Sequence, residues 1–167
     1  VKQWQNFVAA REEELEQLLM KCEKRTGVEI IVVTLSRMTD YPDTDARTIE
    51  AFARGLFDTW GIGNLPRNDG VLLLVCRDDR KARIELGAGY GRARDRDAER
   101  IIQKTVLPAF RKGRYAEGIF DGTADILVAE LRAKGHEVQA LQADVVDTER
   151  AEKIVADLLA DWKQIDI

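Results

Sequence analysis

Histidine is almost absent from this chain, with His136 the only one in 167 residues. Cysteine is scarce too, with Cys22 and Cys76 alone, so the ligand count for a zinc cluster is not met. The same shortage excludes the histidine-rich dimetal centres that hydrolyse phosphate esters. No apolar run approaches the ~18 residues that a membrane-spanning helix needs. A cation excess is also lacking: 26 Lys and Arg against 30 Asp and Glu give a net charge of −4. That balance argues against nucleic acid as a partner, because phosphate binding needs a basic stripe. Cys22 falls on the apolar side of a helical pattern and Cys76 ends an apolar run, so both read as inert core thiols. There is no internal repeat and no low-complexity segment.

What is present is ordinary globular chemistry, 34% charged and 45% hydrophobic. A chain of this length suits a domain that buries ~70% of its unfolded surface. Helical and strand patterns alternate, as in an α/β protein. Val8, Leu15, Leu18, Leu19 and Cys22 form one helical stripe, and Val28 to Leu35 is a continuous apolar strand. After a polar loop, Asp43 or Thr44 is expected to cap a helix with the stripe Ile49, Phe52, Ala53, Leu56, Phe57 and Trp60. Asp97 is expected to cap a helix carrying Ile101, Ile102 and Val106, with Pro108 bending or ending it. Another helix starts near Tyr115 and stops at Gly135.

The most informative stretch lies between Trp60 and Asp97. Gly70 to Cys76 is almost wholly apolar, as in a strand buried on both faces. Lys81 to Leu86 alternates, with Lys81, Arg83 and Glu85 on one side and Ala82, Ile84 and Leu86 on the other. This predicts a half-exposed edge strand whose charged face is a solvated salt-bridge row. The turn Arg77-Asp78-Asp79-Arg80 is short enough to make the two strands an antiparallel hairpin. Glycines 87, 89 and 91 then let the backbone pass close to a neighbour, and Asp95 and Asp97 follow.

Several ordered blocks resemble the TPM domain, a family of thylakoid-lumen and bacterial membrane-anchored proteins. The blocks are Arg25 to Thr34, Trp60-Gly61-Ile62-Gly63, Asn68 to Val75, Asp79 to Glu85, Asp97-Ala98, Arg100-Ile101-Ile102 and Pro108-Ala109-Phe110-Arg111. The resemblance as a whole covers about residues 8–132. The resemblance implies a three-layer α/β/α sandwich with a mixed sheet, an acidic cleft able to hold calcium, and in some members a weak acid phosphatase activity. It also implies a place outside the cytoplasm and a role in membrane-protein or envelope maintenance through a protein partner. The start at Val1 is compatible with a trimmed chain that has lost a signal peptide or anchor. Where the family often has Leu-Thr before the Asp-Ala pair, this chain has Asp95-Arg96, so one neutral oxygen is lost and a cation is gained.

If the first two strands run parallel, the carboxylates divide between the two ends of the sheet. One end collects Asp40, Asp43, Asp45, Asp78 and Asp79, the end that open α/β sheets generally use. The other collects Asp69, Asp95, Asp97 and the Gly87–Gly91 backbone, which the resemblance favours. There a calcium ion would take Asp69, Asp97 and Asp95 with carbonyls of Gly87 and Gly89. The alternatives stay open: Asp97 as a helix cap, and Asp69 as a turn residue before Gly70. Arg92, Arg94 and Arg96 could meet an anionic substrate or simply face water.

Catalysis finds few parts. Ala82 stands where a cysteine phosphatase needs arginine six residues after Cys76, and Asp43-Thr44-Asp45 follows no strand. What survives is a metal-activated water, a route that leaves room for a phosphorylated substrate. Three functions therefore compete: a calcium-binding interaction domain, a weak metal-dependent phosphatase, and a metal-free protein-binding module. Residues 135–167 form an expected β-α extension on the same sheet, with a strand over Glu137–Leu141 and a helix after Asp147 or Thr148. This tail locally resembles a short-chain dehydrogenase, but it has neither the dinucleotide fingerprint nor a Tyr-x-x-x-Lys pair.

Overall fold

The computed structural model describes residues 2–41, 47–135 and 138, the backbone alone for residues 2–12, 14 and 93. The chain order is α1 (Lys2–Thr26), β1 (Ile30–Leu35), α2 (Ile49–Trp60), β2 (Val71–Cys76), β3 (Lys81–Leu86), α3 (Arg92–Ile101), α4 (Leu107–Arg111) and α5 (Tyr115–Ala133). A short 3-10 turn, Met38–Asp40, follows β1. A π-helical turn, Ile102–Val106, joins α3 to α4.

The described strands lie in the order β1-β2-β3. β1 and β2 are parallel, with Ile30 opposite Val71 and Leu35 opposite Cys76. β2 and β3 are the expected antiparallel hairpin, with Val71 opposite Leu86 and Cys76 opposite Lys81. Every side chain of β2 is buried, because successive residues point to opposite faces and both faces are covered. On one face Val71, Leu73 and Val75 pack with Ile30, Ile84, Cys22 of α1, Ile102, Val106, Phe110 and the α5 pair Ile126 and Leu127. On the other, Leu72, Leu74 and Cys76 meet Ile49, Phe52, Ala53 and Phe57 of α2. Helix layers thus enclose a mixed sheet, giving the three-layer α/β/α sandwich.

Several sequence expectations need correction. Helix α2 begins at Ile49 rather than near Thr44, because Thr48 caps it: its hydroxyl accepts the Ala51 N–H at 3.2 Å. Asp43 and Thr44 lie outside the described residues. Trp60 closes the stripe but is 54% exposed, since α2 ends there in the left-handed turn at Gly61. Asp97 caps nothing. Helix α3 starts six residues earlier than that cap would place it, at Arg92 after Gly91, and its N-terminus has no side-chain cap. Of the two outcomes expected, bending or ending the helix, the ending does not occur at Pro108. The turn before it widens, with the Leu107 N–H donating to the Ile102 carbonyl, and the chain re-enters α-helix with proline at its start.

The charged face of β3 is not a solvated row. Helix α2 lies over it, and Glu85 is only 7% exposed. Its carboxylate accepts from Arg83 Nε at 3.1 Å and Nη2 at 3.0 Å, and from Arg54 Nε of α2 at 3.4 Å. Both cysteines are free and buried. Burial, then the Asp79 charge, pushes the Cys76 thiol up to about 11, and burial likewise raises Cys22. Helix α5 stops as expected, with Gly135 in the left-handed region at φ 86°. The strand and helix expected after Gly135 lie outside the described residues. No helix among the described residues is long and apolar enough to cross a membrane.

Candidate functional site

At the end of the sheet where β2 begins and β3 ends, two backbone segments press together. Asn68 takes a left-handed conformation, φ 48°, which a short polar side chain tolerates. Its carbonyl accepts the Gly89 N–H at 2.9 Å, and the Gly70 carbonyl accepts the Gly87 N–H at 3.0 Å. A Cβ on Gly87 would stand 2.1 Å from the Asn68 oxygen, and one on Gly89 2.0 Å from the Arg67 oxygen. The neighbour that Gly87 and Gly89 approach is therefore the 67–70 turn, whereas Gly91, expected to do the same, has open space where its Cβ would stand.

Asp69 is buried within this clasp. Its Oδ2 lies 3.8 Å from Arg67 Nε, while Oδ1 is buried and takes no hydrogen bond from the described residues. Its main-chain oxygen is engaged: the Tyr90 hydroxyl reaches it at 2.7 Å. The same hydroxyl lies 3.0 Å from Glu130 Oε2 on α5. Glu130, 3% exposed, is also held by Arg94 of α3, whose Nη1 donates to the Ala129 carbonyl at 3.2 Å. The Arg94 guanidinium stands 5.5 Å from the centre of the Tyr90 ring, within cation–π range. Burial, then the Glu130 charge, pushes the Tyr90 phenol far upward. It therefore keeps its proton at neutral pH, as a fixed donor and not a base or nucleophile.

Sequence reasoning did not single out Glu130 and left Arg94 in a loop. The available signal for Glu130 was its place one turn after Ile126, as the one charged residue on the buried face of this helix. Arg94 belongs to the first turn of α3, which turns it inward.

The proposed calcium ligands fare differently from one another. Asp69 sits in the turn whose Asn68 and Gly70 carbonyls accept the Gly89 and Gly87 N–H groups, and its own link to that segment is the Tyr90 hydroxyl. Asp95 is exposed on α3. Asp97 is paired with Arg100 at 3.3 Å and lines a cavity of about 20 Å³ beside Arg94, Ile101 and Glu130, space for one water. No three His, Cys, Asp or Glu side chains among the described residues come together as a metal-binding group. A set built from Asp69, Asp95 and Asp97 is thus not assembled. Arg92 and Arg96 are exposed.

The opposite end of the sheet uses its acids structurally. Asp79 Oδ2 accepts the Met38 N–H at 2.9 Å, tying the hairpin turn to the 3-10 turn. Asp78 is bound by Arg77 at 2.8 Å and faces Arg37 at 3.7 Å. The hydrogen bond from Arg77 holds its carboxyl below the usual range. Asp43 and Asp45 lie outside the described residues.

The family model of the TPM domain matches residues 2–129. Three solution NMR structures share the fold. The N-terminal domain of a protein from P. gingivalis is 34% identical, with a TM-score of 0.64 over 79% of this chain and 81% of that one. A protein from the psychrophilic bacterium Bizionia argentinensis is 21% identical, with a TM-score of 0.57 over 74% and 81%. The N-terminal domain of a Corynebacterium glutamicum protein is 11% identical, with a TM-score of 0.54 over 80% and 79%. No curated protein matches the chain.

Proposed function

This chain belongs to the TPM domain family, and from that premise we propose that it is an interaction domain that binds calcium weakly through Asp69. One observation carries the reading: a buried carboxylate oxygen, Asp69 Oδ1, without a hydrogen-bond partner among the described residues. Burying such an atom unsatisfied costs free energy, and a hard cation would offset that cost. The residues present fit one carboxylate ligand, with backbone oxygens of the 67–70 and 87–90 segments and water completing the shell. The carbonyl oxygens of Asn68, Asp69, Gly70 and Gly87 already accept a hydrogen bond, Gly87 from the Tyr90 N–H at 3.1 Å, yet each retains a second lone pair.

A site with one buried carboxylate falls in the weak class of calcium sites, with a Kd of about 10⁻⁴–10⁻³ M. Such a site fills only where calcium is plentiful, which agrees with a place outside the cytoplasm. Bound calcium would fix the clasp and, through Tyr90, its link to α5. A protein partner reading that surface is the function this arrangement supports best. Hydrolysis has less support: the described groups beside Asp69 offer no histidine or cysteine, and the Tyr90 hydroxyl is committed to two acceptors.

Calorimetric titration of calcium into chelator-treated protein tests the reading, with Asp69→Asn alongside. We expect saturable binding in the millimolar range that the variant loses, and a calcium-dependent rise in Tm confined to the wild type. Wild-type protein without saturable binding would sink the proposal, and binding that survives Asp69→Asn would place it elsewhere.

A further inference from the structure

Two of the large hydrophobic side chains exposed among the described residues are Trp60, the last residue of α2, and Leu65 in the short loop that follows it. Leu65 is 86% exposed at its crest. The loop is pinned on every side. Gly61 turns the chain out of α2, and buried Ile62 donates its N–H to the Phe57 carbonyl at 3.2 Å. The Gly63 N–H donates to Glu29 Oε2 at 2.8 Å, and Asn64 Nδ2 to the Gly27 carbonyl at 3.0 Å. The Asn68 N–H closes the crest on the Asn64 carbonyl at 2.7 Å. An apolar side chain on a slack loop can fold back onto the protein. This backbone is held outward, so the exposure of Leu65 belongs to the architecture.

The bond from Asn64 to Gly27 sets the loop against the C-terminal end of α1, where Lys21, Lys24 and Arg25 are exposed. Arg67, 62% exposed, carries its guanidinium to the same place: Nη2 would lie 3.7 Å from a Cβ on Gly27. Exposed acids here are fewer, Glu23 and Asp58, because Glu29 is engaged by Gly63 and Asp69 is buried. On a molecule of net charge −4 this cation excess is local. It would orient the molecule toward an anionic surface.

We propose that the Trp60–Arg67 loop docks on an anionic lipid surface. Leu65 and Trp60 enter the headgroup layer while Lys24, Arg25 and Arg67 face lipid phosphates. Tryptophan suits that boundary, and each cation near such a surface adds about 1 kcal/mol. One apolar side chain on the loop and one at the helix end before it make a small area for a stable protein interface, but a bilayer needs no complementary pocket.

The test is cosedimentation of the full chain with phosphatidylcholine vesicles, with and without phosphatidylglycerol, in chelator so that calcium bridges nothing. We expect binding to the anionic vesicles only, weakened by salt. Leu65→Asp should lower partitioning about tenfold, and Arg67→Gln about fivefold. Circular dichroism should show both variants folded, since both side chains are exposed. No binding to anionic vesicles would overturn the proposal and leave the loop to a protein partner. Binding unchanged by Leu65→Asp would overturn it equally.

Discussion

The single Tyr90 hydroxyl proton is shared between a main-chain oxygen of the clasp at 2.7 Å and the Glu130 carboxylate at 3.0 Å, and without it the main-chain oxygen loses its donor while Glu130 keeps Arg94. We predict that Tyr90→Phe destabilises the fold by about 1–2 kcal/mol. Urea unfolding measures this, and a change near zero would mean that neither acceptor depends on the phenol. Cys76 sets a pH dependence. Its thiol rises from 9.0 to about 11 on folding, so folded protein holds that proton where unfolded chain releases it. The contribution is therefore complete below pH 9 and lost as pH climbs toward about 11. Cys76→Ser should flatten the fall in stability across that window, and an unchanged profile would assign it to other groups. Single residues were unevenly legible in the sequence. Asp69 stood out as an acid before glycine, and the two cysteines as core thiols. Glu130 did not, because its partner Tyr90 is 40 positions away and only packing brings them together.

Among elements, the clasp between the 67–70 turn and the 87–90 segment has the least tolerance for added atoms. Gly89→Ala would drive a methyl group to 2.0 Å from the Arg67 carbonyl oxygen, and both neighbours there are backbone. We predict a loss of about 3 kcal/mol in chemical denaturation. A loss below about 1 kcal/mol would mean that the segments part easily. The glycine spacing showed that something approaches closely, but its identity is tertiary information. Helix stripes were read well from periodicity, as α2 and α5 illustrate. Helix ends were read less well. Asp97 looked like a cap because acids favour that position, yet α3 begins at Arg92, after Gly91, with no side-chain cap. The proline at 108 was tolerated because the preceding turn widens, a backbone adjustment that carries no sequence signature.

For the molecule as a whole, the alternation of apolar strands with amphipathic helices was enough to read the α/β sandwich, because each pattern demands cover on a known face. The charged side of β3 was misjudged, since its alternating composition is the same whether α2 or water lies over it. The site was the least legible part, because it depends on which carboxylates the sheet gathers at one end. The full enclosure of β2 has a further consequence for motion. Its amides are paired to β1 on one edge and β3 on the other, and both of its faces are covered. Small local fluctuations cannot bring solvent to them. In deuterium oxide the backbone protons of Leu72 to Val75 should exchange last, and only by opening of the entire domain. Their rates would then report the global unfolding free energy, while protons around the Trp60–Arg67 loop exchange by smaller excursions. Equal rates in the two regions would show that the sheet centre opens on its own.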